Sequence, residues 1–211
     1  MSTPPSTAFT DAAETWNRRF QTDEYLFGTE PNVWLREHRG LLQPGQRVLS
    51  VADGEGRNSV WLAQQGLAAD AFDISPVGVA KARALAAERG VNVDFEISDV
   101  DGFAWPEAAY DAVVAIFVQF ADLALRERLF AQCRRTLKPG GLLLLQGYTP
   151  KQLEYRTGGP PHLAHLYTEA MLRQAFAGWD ILELREYEAD VAEGTGHKGM
   201  SALIGMVAQR P

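Results

Sequence analysis

From about Arg47 onward, short apolar runs alternate with stretches whose apolar positions recur at helical spacing. This is the pattern of βαβ units around a mostly parallel sheet. Arg47–Ala52 reads as a first strand that runs directly into Asp53-Gly54-Glu55-Gly56 and a helix reaching Gln65, closed by Gly66. Ala69–Ile74 reads as the second strand. Ser75-Pro76 then supplies an N-cap and a first-turn proline for a helix that stops at Gly90. Val91–Ile97 alternates as a third strand, while Tyr110–Phe117 and Leu142–Gln146 are nearly all apolar, as strands buried on both faces are. Between them Asp122 caps a helix reaching Leu137, and Lys138-Pro139-Gly140-Gly141 breaks it and turns the chain back. Past the fifth strand, Thr149–Pro161 reads as a long loop and Thr168–Phe176 as a helix. Ile181–Tyr187 and Ala202–Ala208 read as two strands, separated by a glycine-rich stretch from Glu193 to Gly199. Strands joined so briefly pair antiparallel, because a parallel pair needs a crossover of about a dozen residues. The expected fold is α/β, a Rossmann-like three-layer αβα sandwich on seven strands, mostly parallel with the last antiparallel.

Composition narrows the picture. The chain has 211 residues, 46 % hydrophobic and 22 % charged, which fits one compact domain over residues 1–211. Its longest apolar run, Ala112–Val118, is far short of the ~20 residues of a membrane-spanning helix. The first ten residues are rich in Ser, Thr and Pro without the basic and apolar segments of a secretory signal, so a frayed tail and a cytoplasmic home are expected. Net charge is −7, from 20 basic and 27 acidic residues, which repels a phosphate backbone. A small-molecule partner is expected, with neither nucleic acid nor membrane. Cys133, the only cysteine, falls on a helical apolar stripe and reads as core packing.

In such a sheet a ligand sits beyond the C-terminal strand ends, where strand order reverses. The turn after the first strand, Ala52-Asp53-Gly54-Glu55-Gly56-Arg57-Asn58, lets backbone approach a ligand and opens a helix N-terminus to it. Asp73, followed by Ile74, ends the second strand 19 residues after Gly54, near the ~20-residue offset at which a carboxylate takes ribose hydroxyls. The competing reading of Asp73 is a turn former, although Ser75 is already placed as the cap. Asp99 and Val100 end the third strand, where a carboxylate can accept from an adenine amino group or simply shape a polar loop. Ile116 and Phe117 end the fourth, as pocket wall or as core. The aromatic stretch Trp16–Leu35, with Tyr25, Phe27 and Gly28, reads as a lid or as plain packing. His162 and His165 have neither cysteine partner nor helical i, i+4 spacing, so no metal site is expected.

YLFGTEPNVWL at 25–35, GEGRNSVWLA at 54–63, LKPGGLLLLQGYTPKQLEY at 137–155, TGGPP at 157–161 and EGTGHKGMSAL at 193–203 together carry a resemblance. The chain resembles the class I S-adenosylmethionine-dependent methyltransferases, and more specifically the small bacterial tellurite-resistance and thiopurine methyltransferase-like proteins. The resemblance implies S-adenosyl-L-methionine as cofactor and methyl transfer to a small acceptor, a thiol or chalcogen compound among the candidates. It implies that Asp53, Gly54 and Gly56 approach the methionine part, Asp73 the ribose and Asp99-Val100 the adenine, with Ile116 and Phe117 flanking the sulfonium. By the same likeness residues 11–40 form the lid segment, 45–149 the cofactor-binding core and 150–211 the acceptor side. The chain departs from the family at Ser50, where an acidic residue is common, and at Ala52, where a glycine is usual, so Asp53 or the lid would hold the cofactor's amino end. His197 is the candidate general base, or else an exposed turn histidine, and Arg19, Tyr148 and Tyr155 are further acceptor-pocket candidates. A non-catalytic cofactor-binding protein and an NAD-dependent oxidoreductase are the alternatives, the latter weakened by Ser59 where the dinucleotide fingerprint wants Gly or Ala.

Overall fold

A computed structural model describes residues 7–211. Seven strands form one sheet in the order β3-β2-β1-β4-β5-β7-β6: β1 Arg47–Val51, β2 Ala68–Asp73, β3 Val93–Ile97, β4 Tyr110–Ile116, β5 Leu137–Tyr148, β6 Asp180–Glu193 and β7 His197–Gln209. β1 to β5 are parallel neighbours, and β7 lies antiparallel to both β5 and β6. The helices are α1 Thr7–Phe20, α2 Val33–Glu37, α3 Arg57–Gln64, α4 Pro76–Glu88, α5 Leu123–Thr136, α6 Gln152–Tyr155 and α7 Glu169–Ala175. Among the described residues, no helix is long and apolar enough to cross a membrane.

The period-2 alternation of the strands builds a core on each face of the sheet. Leu49, Val51, Val113, Leu143, Leu145, Ile204 and Met206 join Leu129, Phe130 and Cys133 of α5 on one side. Val48, Val114, Leu144 and Val207 join Trp34 and Leu35 of α2 and Leu62 of α3 on the other. Cys133 is buried and its thiol is pushed up to about 12 by burial, which leaves it an inert packing group. Trp34 lies against the sheet only because position 205 is glycine: a Cβ there would stand 2.6 Å from the indole ring.

The expected capping chemistry is present. Ser75 Oγ accepts the Gly78 N–H at 3.0 Å with Pro76 in the first turn of α4, and Asp122 accepts the Leu125 N–H at 2.9 Å at the start of α5.

Several boundaries differ from the sequence reading. α1 already begins at Thr7, so Thr7–Thr10 are not tail; the Ala-rich segment TAFTDAAETW favours a helix that the neighbouring prolines obscure. Residues 1–6 of the expected tail lie outside the described residues. Lys138-Pro139-Gly140-Gly141 does end α5, but the chain enters β5 at once: Tyr110 pairs with Leu137 and Ala112 with Leu142, so the four residues form an irregularity inside the strand. The loop Thr149–Pro161 contains the single turn α6. β6 and β7 are much longer than expected, because charged and glycine residues occupy a ribbon that is open to solvent in places. Pairing of β7 with β5 stops at Tyr148↔Leu203, whereas six further β6–β7 pairs continue to Glu193↔His197. At about 3.3 Å per residue the hairpin reaches about 20 Å past the C-terminal end of β5.

Candidate functional site

A cavity of about 470 Å³ opens at the C-terminal ends of β1, β2 and β4, beside the place where strand order reverses. Ala52, Asp53, Gly54 and Asn58 line it from the turn after β1 and the start of α3; Asp73 and Ile74 from the end of β2; Asp99 and Val100 from the end of β3; Ile116 and Phe117 from the end of β4. Phe27, from the segment between α1 and α2, and His197, at the start of β7, complete the lining. Twelve residues separated by up to 170 positions in sequence thus meet in one space.

Asp73 is built into the turn that it faces. One carboxylate oxygen accepts the Gly54 N–H at 2.9 Å and the other accepts the Ser75 N–H at 2.8 Å. Burial pushes its carboxyl up to about 6, against those two hydrogen bonds and with help from the negative charges of Asp53 and Glu55. Asp53 is buried too: it accepts Ser50 Oγ at 2.6 Å, the Ser59 hydroxyl, and the Ser59 N–H at 3.3 Å. Burial raises its carboxyl and these serine contacts work against the rise. Ser50 therefore acts as a donor to Asp53, and Ser59 does what a glycine at that position would not.

Two non-glycine residues on the cavity wall hold left-handed backbone, Ala52 at φ 49° and Phe117 at φ 55°, a conformation that costs an L-residue about 1–2 kcal/mol. At Ala52 the usual glycine is absent while its conformation is retained. Gly56 is fixed for a different reason: it caps α3 at φ 91°, and a Cβ there would stand 2.7 Å from the Cβ of Ala82. It supports the turn from behind and does not line the cavity.

The segment between α1 and α2 is tied down at both ends. Lys81 donates to the carbonyls of Thr22 and Glu24 at 3.0 and 2.7 Å and pairs with Glu55, whose other oxygen accepts the Leu26 N–H at 2.7 Å. The Leu26 carbonyl accepts the N–H groups of Thr195 and Gly196 at 2.9 and 2.8 Å. A buried carboxylate at Glu193 closes the arrangement: Arg57 donates to it at 2.7 Å, Asn32 at 3.0 Å, and His197 Nδ1 lies 3.6 Å away. Burial pushes Glu193 upward, but His197 and Arg57 outweigh it and hold the carboxyl at about 2. His197 itself is pushed down by burial, which Glu193 only partly opposes, so its ring is neutral at pH 7. Its ring packs between Phe27 at 4.4 Å and Phe117 at 4.3 Å.

Five expected residues stand elsewhere. Tyr25 packs beside α4, its hydroxyl donating to the Lys81 carbonyl at 3.2 Å. Gly28 abuts Gly194 of the hairpin turn, where a Cβ on Gly194 would stand 2.5 Å from the Gly28 nitrogen. Arg19 lies 4.5 Å over the Trp16 ring, behind the cavity wall. Tyr148 is fully buried, stacked on Phe117 at 4.7 Å, so it supports the wall without forming it. Tyr155 is on the outer surface with its hydroxyl on Glu188, because α6 turns it toward the solvent side of β6. In the other direction, the sequence placed Trp16 and Phe20 only within the aromatic stretch and Arg57 only within the glycine turn, and did not single out the carboxylate of Glu193. The i, i+4 spacing of Trp16 and Phe20, which stack at 5.4 Å, was the available signal for the first two.

Residues 48–141 match the family model described as a methyltransferase domain. The ubiquinone biosynthesis O-methyltransferase of Xanthomonas axonopodis pv. citri is 31 % identical over 128 residues, 59 % of this chain and 54 % of the relative. The chain spans about half the length of curated relatives that it matches at 31–32 % identity. Among solved structures, a protein from work on the conversion of a disulfide bond into a thioacetal group during echinomycin biosynthesis superposes at TM-score 0.77, with 19 % identity over 94 % of this chain and 92 % of that one. TehB from Haemophilus influenzae superposes at 0.69, with 16 % identity over 94 % and 67 %. These two show a shared fold. Residues 48–141, just under half of the chain, match that methyltransferase-domain model, and the chain shares a seven-stranded, mostly parallel Rossmann-like fold with these structures.

Proposed function

We propose that the protein transfers a methyl group from S-adenosyl-L-methionine to a small-molecule acceptor by in-line displacement. The observation that carries this reading is the cavity at the ends of β1, β2 and β4, lined by Asp73, the Gly54 turn and the aromatic rings of Trp16, Phe20, Phe27 and Phe117. The residues fit the cofactor. Each Asp73 oxygen spends one lone pair on a backbone N–H, which leaves one on each for a pair of neighbouring ribose hydroxyls. Asp99 accepts the Gly102 N–H at 2.6 Å through one oxygen, which fixes the carboxylate at the cavity edge where an adenine amino group would donate. Asp53, Gly54 and Asn58 would hold the methionine part, and Ile116 and Phe117 would flank the sulfonium. When bound, S-adenosylmethionine supplies an already activated methyl carbon.

The work left for the chain is alignment and exclusion of water. Phe27, pinned by the ties of Leu26, covers the cavity as part of a lid over residues 21–32, and Phe117 in its left-handed conformation aims a flat ring at the same space. His197 is the candidate base. A sulfur acceptor is in keeping with the structural neighbour from work on the conversion of a disulfide bond into a thioacetal group, and an oxygen acceptor with the ubiquinone-biosynthesis O-methyltransferase. A chalcogen acceptor rests only on the sequence resemblance to the tellurite-resistance-like proteins.

Calorimetry with S-adenosylhomocysteine, followed by transfer of labelled methyl from S-adenosylmethionine to a panel of thiols, phenols and amines, tests the reading. Saturable binding with turnover of one acceptor is the expected result; binding with no turnover on any of them would leave a cofactor-binding protein and overturn it.

A further inference from the structure

Two aspects of the cavity speak to the acceptor, given the methyltransferase reading on which this inference rests. The first is charge. Asp53, Asp73, Asp99, Asp101 and Asp122 line it, against Arg57 and Arg128. Both arginines are already paired, Arg57 with Glu193 at 2.7 Å and Arg128 with Asp101 at 2.8 Å. Among the described lining residues no cation is left to receive an anionic acceptor, and the field of the wall repels one. The second is shape. Trp16, Phe20 and Phe27 stand within 5.4 to 6.5 Å of one another, and Phe117 faces them across His197. Aromatic walls of this kind favour a flat apolar body.

His197 is the one histidine on that wall. The charged and titratable groups that face it are Glu193 from β6, Arg57 from α3, Arg19 from α1 and Tyr148 from β5. The two guanidinium groups and burial disfavour an imidazolium, and Glu193 favours it. Glu193 is itself immobilised: one oxygen serves Arg57 and approaches His197 Nδ1 at 3.6 Å, the other accepts from Asn32 at 3.0 Å and from the Val33 N–H at 3.3 Å. Nδ1 is buried without a hydrogen-bond partner, and the Glu193 charge 3.6 Å away favours the tautomer with the proton on Nδ1, which leaves Nε2 as the acceptor.

We propose that the acceptor is an uncharged O–H or S–H compound with a flat apolar body, that its proton passes to His197, and that Glu193 is the positioning residue that presents His197 for it. The acceptor's oxygen or sulfur forms the bond to the methyl carbon as the carbon–sulfonium bond breaks and leaves its electron pair on that sulfur. The acceptor's proton goes to Nε2 of His197 and from there to solvent, so the step balances with no further reactant.

The test uses the full chain with p-cresol and benzyl mercaptan as uncharged acceptors and selenite and tellurite as oxyanions. Calorimetry on the protein loaded with S-adenosylhomocysteine should show p-cresol binding at least about tenfold tighter than selenite; equal or tighter selenite binding overturns the proposal. Methyl transfer to an uncharged acceptor should carry a kcat that falls with pH through a single ionisation below the ordinary histidine value. In Glu193→Gln that ionisation should move to lower pH and kcat should drop by about 10²-fold, with Glu193→Asp recovering part of it. An unchanged profile in Glu193→Gln overturns the positioning role, and if that variant does not fold, His197→Gln replaces it, with retained kcat as the overturning result. Turnover of an oxyanion at higher kcat/KM than either uncharged acceptor, or of neither uncharged acceptor, overturns the acceptor class. Absent S-adenosylhomocysteine binding would instead defeat the methyltransferase reading, which keeps the two failures distinct.

Discussion

Replacing Asp73 by Asn separates what this carboxylate does for the fold from what it does for a ligand. The residue is 7 % exposed and its carboxyl rises from 3.8 to about 6 through burial. A carboxyl with a raised folded value favours the fold fully below its unfolded value, and that contribution is lost as pH rises through about 6. At pH 7 the buried charge therefore costs the fold about 3 kcal/mol. Asparagine removes that cost, but its amide nitrogen faces either the Gly54 or the Ser75 N–H, a lost hydrogen bond worth about 1–3 kcal/mol. The two effects oppose each other, so urea unfolding of Asp73→Asn at pH 7 should fall within about 2 kcal/mol of the unsubstituted protein. Nothing offsets the loss at the ligand: one charge-assisted hydrogen bond of about 1.5–3 kcal/mol corresponds to about 10- to 150-fold weaker S-adenosylhomocysteine binding. In the unsubstituted protein that affinity should decline as pH falls through about 6, since hydroxyl donors favour the carboxylate, and in Asp73→Asn it should be flat. Calorimetric titration on either side of pH 6 reads both. Undiminished affinity in Asp73→Asn, or unsubstituted affinity that rises toward acid, would refute the assignment of Asp73 to the ligand.

Other substitutions probe the remaining parts. Ala52→Gly relieves the left-handed backbone at φ 49° and should raise urea stability by about 0.5–1 kcal/mol after glycine's entropic cost. Arg57→Met leaves Glu193 buried without its partner and should cost about 3–5 kcal/mol, while Arg57→Met with Glu193→Met should recover much of it in a double-mutant cycle. Gly194→Ala drives a Cβ into Leu26 O and Gly28 N at φ 63°, so proteolysis within residues 21–32 should quicken and S-adenosylhomocysteine affinity fall. Gly205→Ala meets the Trp34 ring at 2.6 Å and should destabilise by about 1–3 kcal/mol with little change in ligand affinity.

The parts of the fold that were legible in the sequence are those with local causes. Ser75-Pro76 and Asp122 announce helix starts because their capping bonds span only three residues, and Val113, Val114 and Leu143–Leu145 announce central strands because both faces are covered. Asp73 was legible from its offset to Gly54, the residue whose N–H it accepts. What escaped depends on partners far away in sequence. Glu193 is the acidic residue that opens a glycine-rich stretch, and nothing marks it until Arg57, 136 positions earlier, is folded against it. Tyr25, Tyr148 and Tyr155 share one chemistry, and only packing decides that the first lies on α4, the second behind Phe117 and the third outside. The length of the β6–β7 ribbon was hidden because the alternation Tyr187, Ala189, Val191 is short, is interleaved with Glu188 and Asp190 and runs into glycines, yet that length is what brings His197 over the strand ends.

The claim on which the rest depends is that the cavity at the ends of β1, β2 and β4 binds the S-adenosyl group. Calorimetric titration of the chain with S-adenosylhomocysteine, with NADH in parallel, measures it. One saturable site for S-adenosylhomocysteine with Kd below about 100 µM and no NADH binding in that range is the predicted result; saturable NADH binding with no S-adenosylhomocysteine heat would contradict it.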